Sequence, residues 1–96
     1  MAWKVKWTNK ARNEWVEILN FWITHTQSNS FSKKLNKLLR QNIKTISQYP
    51  YIGKQTNQTH VFIKIVKHYL VYYEVLEDSI LILTILDSRR DIESLN

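Results

Sequence analysis

Residues 69–86 read YLVYYEVLEDSILILTIL, and this stretch decides the fold. Tyr69 to Leu76 is rich in aromatic and β-branched side chains, which suit a pleated, half-buried surface. Glu77-Asp78 interrupts the apolar pattern with two polar residues, the length of a tight hairpin turn. Ser79 to Leu86 is then almost continuously apolar. Such a run predicts a strand covered on both faces, near the centre of a sheet. Just upstream, Val61 to Lys67 alternates loosely and adds a third strand. The C-terminal third therefore predicts an antiparallel meander.

Towards the N-terminus the period changes from two to about 3.6. Phe31, Leu35, Leu38, Leu39, Ile43 and Ile46 form one stripe of a helix that opens near Ser30. Tyr49-Pro50-Tyr51-Ile52-Gly53 ends it, because Pro cannot continue a helix and Gly suits the turn that follows. Ala11, Trp15, Ile18, Leu19, Trp22 and Ile23 form the stripe of an earlier helix, from about Asn9 to His25, with Thr8 or Asn9 as its cap. The short polar break Gln27-Ser28-Asn29-Ser30 makes these two helices an antiparallel hairpin. Ahead of them, Trp3-Lys4-Val5-Lys6-Trp7 alternates as a strand with its apolar side inward. The expected order is β-α-α-β-β-β: an α+β fold with an antiparallel sheet packed against an N-terminal helical hairpin. All four Trp fall on inward-facing positions, so they read as core.

The chain has 96 residues, enough for one domain and one core. It contains no Cys, which rules out a disulfide framework, a thiolate nucleophile and a Cys-based zinc site. A single Gly rules out a glycine-rich phosphate loop. The charged residues within MAWKVKW are unlike a signal peptide, and the run Ile80–Leu86 is far too short to span a membrane. These features predict a soluble cytoplasmic protein. The formal net charge of +6 favours a polyanion or an acidic protein as partner.

Several groups are candidates for chemistry. Arg89 and Arg90 stand where the last strand ends. Guanidinium forks hold phosphates bidentately and stabilise charge building on a scissile phosphate; the plainer alternative is surface ion pairing with Asp87 and Asp91. Lys64, flanked by Ile63 and Ile65, is expected to face away from the apolar side of its strand. There it has the chemistry to contact phosphate or act as a general acid, or simply to be solvated. The three histidines, His25, His60 and His68, have no pair at the helical i, i+4 spacing of a metal site, and neither a metal nor another cofactor is expected. His25 suits a helix C-terminus, while Glu14 and Glu17 suit the first half of the same helix. Lys33, Lys37, Arg40 and Lys44 recur along one face of the second helix, and Lys67 adds a cation on the sheet. They form either a surface for a target or nucleic acid, or an ordinary solvated face.

The order of pieces Ser30-Phe31-Ser32-Lys33-Lys34-Leu35, Tyr49-Pro50-Tyr51-Ile52-Gly53-Lys54, Tyr69 to Val75, and Ile82 to Asp91 resembles the RelE/ParE toxin superfamily over nearly the whole chain. The resemblance implies a bacterial type II toxin held inactive by a cognate antitoxin, with operator DNA reached only through that antitoxin. It leaves two targets open. RelE-like members cut mRNA on the ribosome. In that reading Lys64 and Arg90 match two cations of the catalytic set, neutralising charge while the 2′-hydroxyl attacks; Arg89 assists, and His60, His68 or Lys67 moves protons. ParE-like members instead inhibit DNA gyrase by binding. Leu70 stands where the RelE-like pattern has a strand Arg, the tail Ile92 to Asn96 carries no Tyr or His, and the helical hairpin is long, so the ParE-like branch is favoured. A third reading is a superfamily member kept only for antitoxin-type interaction or DNA binding.

Overall fold

The computed structural model describes residues 2–89. The chain runs β1 (Lys4–Trp7), α1 (Asn9–Thr26), α2 (Ser30–Gln48), β2 (Lys54–Gln55), β3 (Val61–Val66), β4 (Tyr69–Val75) and β5 (Ser79–Asp87). The expected α+β architecture is present: two helices pack against one sheet, with strand order β1-β5-β4-β3-β2.

Strands β3, β4 and β5 form the antiparallel meander read from the sequence. Two details were not read. A two-residue strand, β2, pairs antiparallel with β3 after the Gly53 turn. β1 joins the sheet parallel to β5, with Val5 opposite Ile80. Alternation reports which side chains face inward; it carries no information about the partner strand or its direction.

Each helix is set by local chemistry. The Thr8 hydroxyl accepts the Ala11 amide at 3.0 Å and so caps α1. Gln27 closes α1 in the left-handed region, at φ 56°. Across the hairpin, the buried Ser32 hydroxyl donates to the Leu19 carbonyl at 2.5 Å. This ties α2 to α1 through an otherwise apolar contact.

The core lies between helices and sheet. Leu35, Leu39 and Ile46 of α2 and Ala11 and Trp15 of α1 pack with Tyr69, Val71, Tyr73, Val75, Ile80, Ile82 and Ile85. Burying each Val, Leu or Ile of this set contributes about 1.5–3 kcal/mol. Trp3, Val5, Trp7, Ile18, Leu19 and Trp22 are partly buried against it. Ile23 and Phe31, read as part of the apolar stripes, are instead exposed at the far end of the hairpin.

Strand β5 departs from its expected double coverage. Ile80, Ile82 and Ile85 are buried under the helices, while Leu81, Leu83 and Leu86 are half-buried. An apolar run reports hydrophobicity on both faces but does not supply a second layer of structure.

The β4–β5 register breaks between Tyr72 and Tyr73, whose partners are Thr84 and Ile82. Leu83 is therefore an extra residue, a β-bulge. It lies just beyond the point where β1 stops pairing with β5 and α1 begins. Residues of the β1–α1 junction complete its hydrogen bonding. The Thr8 amide donates to Ile82 O at 3.0 Å, and the Thr8 hydroxyl to Leu83 O at 2.8 Å. Glu14 Oε1 accepts the Thr84 hydroxyl at 2.6 Å and the Ile85 amide at 3.1 Å. Lys10 Nζ meets Glu14 Oε2 and the Thr84 hydroxyl, both at 2.8 Å. Glu14 thus joins helix to sheet, a part beyond the helix-dipole role read from its position.

Candidate functional site

Helix α2 presents a strongly cationic surface. Across Ser30–Gln48 it carries Lys33, Lys34, Lys37, Arg40 and Lys44 and no Asp or Glu. All five are exposed. Lys33, Lys37, Arg40 and Lys44 line a shallow groove of about 460 Å³ with the amides of Asn36 and Gln41. Among the described residues the ion pairs are Lys10–Glu14 and Arg89–Asp87, so these helix cations point to solvent rather than to internal carboxylates. A second cleft of about 450 Å³ lies between α1 and α2, lined by Trp7, Trp15, Val16, Leu39, Ile43 and the cations Arg12 and Arg40.

A second group gathers at one end of the sheet. Lys67 and His68 form the β3–β4 turn, with Lys67 in the left-handed region at φ 58°. The Ser88 amide donates to the His68 carbonyl at 2.8 Å, which brings the end of β5 against that turn. Arg89 therefore lies near Lys67 and His68. It is tied to Asp87, with Nη2 to Oδ2 at 3.2 Å and its own amide to Oδ1 at 2.9 Å. The hydrogen bonds and charge of Asp87 hold the exposed guanidinium further in its charged form. Arg90 lies outside the described residues.

Lys64 is not where its neighbours placed it. Cross-strand partners share a face, and Lys64 pairs with the fully buried Val71, as Phe62 pairs with Tyr73 and Val66 with Tyr69. Lys64 is therefore half-buried on the helix-covered face. Ile63 and Ile65 occupy the other face, where Ile65 is 62% exposed. The expectation took the isoleucines as the inward phase; the buried phase is Phe62 and Val66, which the loose alternation did not distinguish.

On the side away from the helices Ile63 pairs with Tyr72 and Ile65 with Leu70, which pairs in turn with Leu86, while Leu81 and Thr84 lie opposite Glu74 and Tyr72. Each is exposed or half-buried. A sheet face this apolar, with no covering layer among the described residues, is the signature of an interaction surface. Sequence reading missed it because it gave β5 two covers.

Tyr73 explains the Pro50–Gly53 segment. Its side chain is fully buried in the core. Its hydroxyl donates to Pro50 O at 2.9 Å and accepts the Gly53 amide at 2.9 Å. A Cβ at position 53 would sit 2.6 Å from that hydroxyl and 2.9 Å from Ile63 O, so only Gly fits beside it. Burial raises the Tyr73 pKa above its ordinary 10.0, opposed by the Gly53 hydrogen bond. The tyrosine thereby fixes the exit of α2 onto β2 and β3.

A helical hairpin on one face of a five-stranded sheet is the fold of the RelE/ParE-type toxins. Residues 5–92 match the family profile described as ParE toxin of type II toxin-antitoxin system, parDE. The chain therefore belongs to the ParE toxin family. A solved structure titled as the chromosomal ParDE TA system from P. aeruginosa superposes with a TM-score of 0.74 at 18% identity, covering 88% of this chain and 94% of that one. No curated protein sequence matches the chain. Among the described residues no helix is long and apolar enough to cross a membrane.

Proposed function

We propose that this chain is a growth-inhibiting toxin that binds DNA gyrase and is neutralised by a cognate antitoxin, acting in the cytoplasm. The single observation that carries the binding reading is the placement of the cations. Strand cations matching the ribonuclease set would have to converge on one phosphate. Lys64 lies on the helix-covered face, and Leu70, at the place of the strand Arg, lies on the opposite one. Arg89 is engaged by Asp87. The backbone proximity of Lys67 and His68 to Arg89 at one end of the sheet favours the second reading, mRNA cleavage on the ribosome, but that group lacks Lys64.

The open face of Ile63, Ile65, Leu70 and Tyr72 suits the antitoxin. A segment that folds on binding gains most from an apolar surface already ordered on the toxin. Operator DNA would then be recognised by the antitoxin's own DNA-binding part.

The test is a gyrase supercoiling assay with purified toxin, run beside ribosome-programmed mRNA cleavage. Inhibited supercoiling with intact mRNA is the expected result. Full supercoiling at excess toxin would reject the gyrase reading, and cleaved mRNA would replace it with the second.

A further inference from the structure

We infer that the exposed ridge of α2, Lys33-Lys37-Arg40-Lys44, is a sequence-independent contact for the phosphate backbone of duplex DNA. This goes beyond the gyrase reading and stands whether or not that reading holds.

The argument begins with spacing. Steps of four, three and four residues at about 1.5 Å rise place the cations about 6, 4.5 and 6 Å apart along the helix axis. Eleven residues complete nearly whole turns at 3.6 residues per turn, so the row runs almost parallel to that axis. The ridge is about 16.5 Å long, and one DNA strand presents a phosphate every ~3.4 Å of its own axis. Four cations therefore face about five phosphates.

Charge environment comes next. The helix holds no carboxylate that would repel phosphate. None of the four takes part in the ion pairs of the described residues. Asn36 and Gln41 line the same groove and supply neutral amide donors between the cations.

The form of the groove selects the partner. Its lining is Lys, Arg, Asn and Gln, without an aromatic ring. Single-stranded nucleic acid is held largely by base stacking on aromatics, and a protein partner by buried apolar or aromatic anchors. Neither lines this groove, and the apolar cleft that shares Arg40 lies beside it rather than within it. Exposed cations paired with scattered carboxylates contribute only about 0–1 kcal/mol each. Against a duplex the same cations displace condensed counterions, and the gain grows with every phosphate neutralised. An exposed row of four unanchored cations is thus far better matched to a duplex than to an acidic protein surface. Such a contact would hold the toxin on DNA without reading its sequence.

The test measures binding of the full chain to a fluorescent 30-base-pair duplex by anisotropy across a salt series. Four contacts predict a slope of log K against log salt near about −3.6, at ~0.9 per phosphate. The Lys37→Ala/Arg40→Ala variant should lower its magnitude by about 1.8, which corresponds to roughly 60-fold weaker binding at 0.1 M salt relative to a 1 M reference. Lys4→Ala/Lys54→Ala removes the same net charge at exposed positions on the sheet and should leave the slope unchanged. Circular dichroism confirms that both variants fold. Failure to bind the duplex at low salt would overturn the proposal, as would equal losses in the two variants. So would competition by polyglutamate as effective as by unlabelled duplex, which would reassign the ridge to an acidic protein. Supercoiling by gyrase with the same variants reports on the gyrase reading separately, so failure of one is distinguishable from failure of the other.

Discussion

Removing the Tyr73 hydroxyl tests whether this buried side chain holds the chain's passage from α2 into the sheet. Tyr73→Phe keeps the ring, its stacking on Phe62 at a 5.7 Å centroid distance, and its packing in the core. What is lost is one acceptor and one donor, each at 2.9 Å, to Gly53 N and Pro50 O. Each hydrogen bond contributes about 1 kcal/mol net, and a partner left dry costs ~1–3 kcal/mol. Pro50 is buried and Gly53 half-buried. We therefore expect a loss of about 2 kcal/mol, rising towards ~4 if neither group gains a water. For a domain of this size 2 kcal/mol lowers Tm by about 8–16 °C. Urea unfolding monitored by Trp fluorescence should show a lower midpoint at unchanged slope. The same hydroxyl gives an independent check in alkali. Its pKa is raised on folding, so its contribution is complete below its ordinary 10.0 and fades as pH rises from there. Wild type should lose stability above pH 10 more steeply than Tyr73→Phe. A loss under about 0.5 kcal/mol at neutral pH, with parallel alkaline curves for the two proteins, would refute the reasoning.

Three further outcomes are expected, two from the geometry and one, at Arg90, from the sequence. Partial burial pushes the Glu14 pKa up, but hydrogen bonds from Lys10, Thr84 and Ile85, with the Lys10 charge, outweigh it and bring it below its ordinary 4.5. The Glu14 contribution is therefore present above pH 4.5 and lost as pH falls below it; acid titration of stability should be steeper for wild type than for Glu14→Gln, and identical curves would argue against the bulge clamp. Leu70→Glu, on the open sheet face, should leave Tm within a few degrees and weaken co-purification with the antitoxin at least tenfold; unchanged co-purification would place the antitoxin elsewhere. Arg90→Ala should leave growth inhibition undiminished under the gyrase reading, as measured by colony counts after induction, whereas loss of toxicity with a folded protein would favour mRNA cleavage.

All the elements but the two-residue β2 were legible in order, because they depend on local periodicity. The α2 stripe of Leu35, Leu39 and Ile46, the Thr8 cap, the Pro50–Gly53 stop and the two-residue turn at Glu77-Asp78 all announce themselves within a few positions. The cationic row of α2 was equally readable, since a helix of known phase puts Lys33, Lys37, Arg40 and Lys44 on one side. Beyond that local range the sequence was silent. Which strand β1 joins, and that it joins in parallel, depends on a contact between positions more than seventy residues apart. The face of Lys64 depends on its pairing with Val71, because Ile63, Ile65, Phe62 and Val66 offer two equally apolar phases. Glu14 became a bridge only when the Leu83 bulge presented the Ile85 amide to it. Sequence by itself determined what each segment would become, since hydrophobic period and capping act over one or two turns. Tertiary structure alone decided which polar groups met and which apolar face stayed open, since both depend on strand register and on the number of layers available to cover the sheet.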